Sequence, residues 1–131
     1  MESQRRKDAQ RRLEMAEASA RAEATSAQKL IDDFVNVANE RGIRAESLEA
    51  RTMSGQRVKT DKRGWYLRQN KSLAVGTDGG YYVLTVPGGF ITRFTGVKLA
   101  PTQPSLEVGR GGRDGETGEL QEFLDWRLAD G

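Results

Sequence analysis

The stretch Gly64 to Val86, GWYLRQNKSLAVGTDGGYYVLTV, most limits what this chain can fold into. It holds all three tyrosines and one of the two tryptophans. Asp78-Gly79 lies between two apolar runs, a strong short-range signal for a β-hairpin. With Asp78-Gly79 at the centre of a two-residue type I′ turn, Leu73 to Gly76 pairs with Tyr81 to Val86. Val75 then stands opposite Tyr82, and Leu73 opposite Leu84. Cross-strand partners share a face, so Leu73, Val75, Tyr82, Leu84 and Val86 are expected in the core. Ala74, Tyr81, Val83 and Thr85 are expected on the other side. Trp65 to Leu67 are expected to open a strand of their own, and alternation assigns one of Trp65 and Tyr66 to the core.

Upstream, residues 3–41 are rich in Ala, Glu, Arg and Gln and meet no Gly or Pro before Gly42, which predicts helix. Ala27, Leu30, Ile31, Phe34, Val37 and Ala38 make one apolar stripe. Thr25 with Gln28 fits a capping box and places the start of the core helix at Ser26, while Gly42-Ile43 suits a left-handed stop. Two units are therefore expected: a charged helical extension over 1–25 and a single domain over 26–131. In the extension Leu13, Ala16 and Ala20, with Ala9 before them, follow an alternating three- and four-residue spacing that Glu23 interrupts. That pattern reads either as a helix-pairing seam or as a fraying helix.

The remaining segments are short. Ile43 to Ala50 reads as a strand or a helical turn, Ser54-Gly55 as a turn, and Gln56 to Arg63 as too polar to be buried on either face. Phe90 to Phe94, Val97 to Leu99 and Leu106 to Val108 are further strand segments. The Gly-rich run 109–118 precedes a terminal helix, Glu119 to Leu128, with Thr117 placed to cap it. The order predicts an α+β fold: a small antiparallel sheet of about four to six strands, covered on one face by an N-terminal amphipathic helix and a C-terminal helix.

Composition narrows the chemistry. The chain has no cysteine and no histidine, so disulfides, thiolate nucleophiles and the most used neutral-pH base and metal ligand are all absent. No catalytic constellation is expected, and no cofactor or metal. Gly109, Gly111 and Gly115 miss the dinucleotide-binding spacing by one position, and no Gly-x4-Gly-Lys occurs. No apolar run has the length of a signal peptide or a membrane span, so a soluble, cytoplasmic protein without a membrane partner is expected.

Charge is uneven. Arg51, Arg57, Lys59, Lys62, Arg63, Arg68 and Lys71 are opposed in their segment by Asp61 alone, whereas residues 106–131 are acidic. Two function classes follow. The first is a non-catalytic binding or adaptor protein. It acts on another protein, or on itself, through Leu13, Ala16 and Ala20 of the helix seam and through Trp126, which lies off the stripe of the terminal helix. The alternative is binding of single-stranded nucleic acid or RNA. There Arg57, Lys59, Lys62, Arg63, Arg68 and Lys71 pair with phosphates and Tyr66 offers a ring for stacking.

Overall fold

The computed structural model describes residues 1–86, 96–109 and 117–131. The strand expected over Phe90 to Phe94, and most of the Gly-rich run, lie outside the described residues.

Helix α1 runs without a break from Glu2 to Arg41, 40 residues and about 60 Å at the usual rise. Thr25 does not cap a second start. Its hydroxyl donates to the Arg21 carbonyl one turn back (3.0 Å) while the surrounding Ala, Glu and Gln carry the helix through. The stop falls where expected: Gly42 takes φ 69° and ψ 27°, and the Ile43 N–H donates to the Ala38 carbonyl at 2.9 Å.

Five strands follow: β1 (Glu46–Thr52), β2 (Arg57–Tyr66), β3 (Leu73–Gly76), β4 (Tyr81–Val83) and β5 (Thr85–Val86). They form one sheet in the order β4-β3-β2-β1-β5. All neighbours are antiparallel except β1 and β5, which run parallel. The two outer strands are separated by a single residue, Leu84. Its N–H donates to the Ser72 carbonyl beside β3 (2.9 Å), and its carbonyl accepts from the Arg51 N–H of β1 (2.7 Å). The sheet thus curls until its two edges meet. Val97 adds a parallel bridge beside Thr60 on β2.

Two expectations about this sheet are corrected. Residues 57–63 are strand despite their polarity, and Trp65 and Tyr66 end β2, with Leu67 just past it, rather than opening a strand. Polar residues serve there because the outward face of the β1–β2 hairpin is exposed, so only the inward positions, Val58 foremost, need to be apolar. The β3–β4 register is also one residue away from expectation: Val75 pairs with Tyr81, Ala74 with Tyr82 and Leu73 with Val83. The turn is longer than two residues, with Gly76 N–H donating to the Gly80 carbonyl (2.9 Å) and Gly79 at φ 82°. A one-residue shift exchanges faces. It moves Tyr81 to the side of Leu73 and Val75, and Tyr82 with Leu84 to the side of Ala74.

Around β3, β4 and the end of β2 both faces are buried, so there are two cores. On the outer face Ala27, Ile31, Phe34 and Ala38 of α1 pack with Trp65, Leu67, Leu73, Val75 and Tyr81, joined by Leu120 and Leu124. Phe34 meets Trp65 edge to face at 5.5 Å, and the indole N–H donates to the Ile43 carbonyl (3.0 Å). Inside the curl lie Leu48, Tyr66, Ala74, Tyr82, Leu84 and Leu99. Trp65 and Tyr66 are therefore both buried, one in each core. A two-stranded ribbon, β6 (Glu107–Val108) and β7 (Gly118–Glu119), leads into α2 (Leu120–Asp130). The first turn of α2 is met by the ribbon, since the Leu120 N–H donates to the Leu106 carbonyl (2.7 Å). Glu119, not Thr117, stands at the cap position. The fold is α+β, with both helices on one face of a mostly antiparallel sheet.

Candidate functional site

Two exposed surfaces and one cleft carry the side chains that the sequence singles out. The first surface is the outer face of the β1–β2 hairpin. Its turn is closed by the Thr52 N–H donating to the Gln56 carbonyl (2.9 Å), and Gly55 takes φ 88°. That register sets Arg51 opposite Arg57, Glu49 opposite Lys59, and Ser47 opposite Arg63. Partners share a face, so Arg51, Arg57, Lys59 and Arg63 stand together and exposed, with Glu49 among them. Arg63 is held in place, donating to Ser47 Oγ (3.2 Å) and to the Ala45 carbonyl (2.9 Å).

The other cations of the segment turn elsewhere. Lys62 lies near Asp61 (3.6 Å) and Asp78 (4.0 Å), 5.9 Å from the Tyr82 ring centre. Asp78 accepts from the Tyr82 hydroxyl (2.6 Å) and the Gly80 N–H (2.9 Å). Burial pushes the Asp78 carboxyl up, but these bonds and the Lys62 charge outweigh it and hold its pKa below the ordinary value. Asp61 accepts from the Leu99 N–H (2.9 Å), which lowers its pKa chiefly through that bond. The cluster pins the β3–β4 turn and the 96–99 segment to β2. Arg68 is buried; it donates to Ser72 Oγ (3.1 Å) and sits 5.9 Å from the Phe123 ring centre. Lys71 takes φ 58° and lies 5.4 Å from the Tyr66 ring centre. Tyr66 itself is buried and its hydroxyl accepts from the Glu49 N–H (2.9 Å). Its ring is not presented to solvent.

Beside the hairpin, Arg51, Asn70, Lys71, Ser72, Leu84 and Thr85 line a notch of about 180 Å³, and Arg51, Arg57, Asn70 and Lys71 also meet around its neighbour. Asn70 thus joins the surface although it carries no charge, and Arg51, part of the basic segment by sequence, takes its place there beside Arg57. A reading of Ser54-Gly55 as the centre of a hairpin turn finds the Arg51–Arg57 pair.

The second surface is the first half of α1. From Glu2 to Ala22 every side chain is exposed except the half-buried Asp8. Leu13 and Met15 are 52% and 66% exposed, and Ala16 and Ala20 are open as well. A long hydrogen bond ties this arm to a loop, Gln103 Nε2 donating to the Ala20 carbonyl at 3.5 Å. The cleft, about 370 Å³, lies between α2 and the end of β2 and is lined by Leu67, Arg68, Gln69, Thr117, Glu122, Phe123 and Trp126. Trp126 is half-buried there.

Among the described residues no three metal-ligating side chains come together, and no helix is long and apolar enough to cross a membrane. Comparison with known proteins finds no matching family, no matching curated sequence and no matching solved structure.

Proposed function

We propose that this chain is a non-catalytic binding domain that docks another protein through the N-terminal arm of α1. One observation carries this reading. The stripe Ala9, Leu13, Ala16 and Ala20 is in phase with Ala27, Leu30 and Phe34, which the sheet covers, yet the arm itself has no such cover. A helix gains most of its stability from packing an apolar face. About 30 Å of helix projecting with its seam open is suited to receive a partner helix. A photo-crosslinking amino acid at Leu13, expressed in the native host, is expected to trap a protein, whereas the same group at Val83, exposed on the sheet, is not. Equal yields from both positions, or none from Leu13, would refute the reading.

A second reading is favoured by a separate observation. Arg51 directly opposite Arg57 is a like-charge pair, an arrangement that costs stability unless an anion sits between the two. With Lys59 and Arg63 it suits a phosphate-rich strand. Binding to a mixed RNA pool that weakens steeply with salt, and less steeply in Arg57→Ala, supports it. A flat titration at low salt removes it.

A further inference from the structure

We infer that the arm of α1 pairs, antiparallel, with the arm of a second copy of this chain. The inference rests on the docking role of the arm and names its occupant. The positions Arg6, Ala9, Leu13, Ala16, Ala20, Glu23 and Ala27 alternate in steps of three and four, the spacing of a helix-pairing seam. From Ala27 onwards that seam is filled by the sheet. A copy laid parallel and in register therefore runs its own helix into this sheet. Reversal sends the core of the second copy away from this one.

The antiparallel alignment has a distinctive internal fit. When Leu13 is set opposite Ala16 of the second copy, the layers on either side are Ala9 with Ala20, a small residue on a small one. The next layers outward are Arg6 with Glu23, at both ends; Glu23 is half-buried and also has a partner within its own chain, so it meets Arg6 with what its carboxylate still has to offer. The two polar residues that interrupt the seam thus meet each other, with opposite charge. Leu13 against Ala16 is a large residue facing a small one, and the alanine layers allow a close approach of the axes, towards the lower end of the usual 8–10 Å. On the flanks Gln10 faces Glu17 and Arg12 faces Ser19, so no like charges oppose. The overlap from Arg6 to Glu23 spans roughly 27 Å. With one leucine per arm the pairing is weak and concentration-dependent.

The natural absence of cysteine makes the geometry directly readable. Under mild oxidation a mixture of full-length Ala9→Cys and Ala20→Cys chains is expected to form a mixed disulfide, while neither variant alone forms one. Self-linkage of Ala9→Cys would show a parallel pair and overturn the proposal. In sedimentation across a concentration series the wild type is expected to shift towards twice the monomer mass. Arg6→Glu and Glu23→Arg are each expected to weaken this about tenfold, and mixing the two variants restores it, since both end layers of the mixed pair are again oppositely charged. Circular dichroism checks that both variants stay folded. A monomer at every concentration overturns the self-pairing. If Leu13 still crosslinks to a protein of a different mass, the docking reading survives that failure; if it crosslinks to nothing, both fall.

Discussion

Gly64→Ala is the substitution whose cost follows most directly from this architecture. Gly64 on β2 pairs with Gly76 on β3 near the middle of the curled sheet. A Cβ at Gly64 meets the Val75 carbonyl oxygen, the Gly76 Cα at 2.8 Å and the Val75 carbonyl carbon at 2.9 Å. These are backbone atoms and cannot rotate aside, so β3 must retreat by several tenths of an ångström. Retreat stretches the flanking bonds, Leu67 N–H to the Leu73 carbonyl and Thr77 N–H to the Arg63 carbonyl, both 2.9 Å. Overpacking of a closed interior costs about 1–3 kcal/mol, and a weakened buried hydrogen bond adds about 1 kcal/mol. The expected loss is about 3 kcal/mol. In urea, with a slope of roughly 1.5 kcal/mol per molar for a small domain, the midpoint falls by about 2 M. Fluorescence of Trp65 in a Trp126→Phe background reports it, because that indole is buried against Phe34. A midpoint within a few tenths of a molar of the parent would refute the claim that β2 and β3 are held this close.

Three further outcomes are expected. All three tyrosines are buried and their pKa values raised. Burial is the main cause for Tyr66 and Tyr81, and burial with the neighbouring Asp78 carboxylate for Tyr82. The folded protein should show no tyrosinate absorbance as pH rises through the ordinary value of 10.0, and stability should fall above that pH because only the unfolded chain ionises there. Phenol ionisation at the ordinary pH in a still-folded sample would contradict the burial. Asp61 and Asp78 have lowered pKa values, so the stability they contribute is full above 3.8 and is lost as pH falls through that value towards their folded-state values. Asp78→Asn should flatten the acid limb of a stability-against-pH curve, and an unchanged limb would remove the assignment. Deleting residues 1–22 should leave near-ultraviolet circular dichroism unchanged and shift the melting temperature by no more than about 3 °C, since the arm lies outside both cores. A large drop would tie the arm to the domain's stability.

Legibility in the sequence depended on whether a signal was local. The stop at Gly42 and the apolar stripe of α1 depend on neighbours a few residues away, and both were readable. The limits of β3 and of α2 were close for the same reason. Thr25 misled because a capping residue flanked by strong helix formers is overridden by them. The β3–β4 register failed because Asp78-Gly79 resembles a two-residue turn, while Asp78 is instead engaged with Tyr82 and Gly80. β2 was missed since half of its side chains face water, a pattern that resembles a loop when the partner strand is unknown. The basic segment illustrates the same limit at the level of the site. Sequence proximity grouped Lys62 and Arg68 with Arg57 and Lys59, whereas the strand path and α2 draw Lys62 inward and bury Arg68. Arg51, across the hairpin, takes a place beside Arg57.

The closure of the sheet at Leu84 and the cover of its outer face by both helices set an order of assembly. As the chain leaves the ribosome α1 emerges ahead of the sheet, and its backbone hydrogen bonds are local. The residues that cover its apolar seam arrive later: Trp65 to Tyr81 after several dozen more, Leu120 and Leu124 later still. Until then the seam that runs from Ala9 to Ala38, broken at Glu23, is uncovered, and transiently exposed apolar surface of this kind is where non-native association starts. The core half of that seam is then withdrawn as the domain closes, and the arm alone is left open.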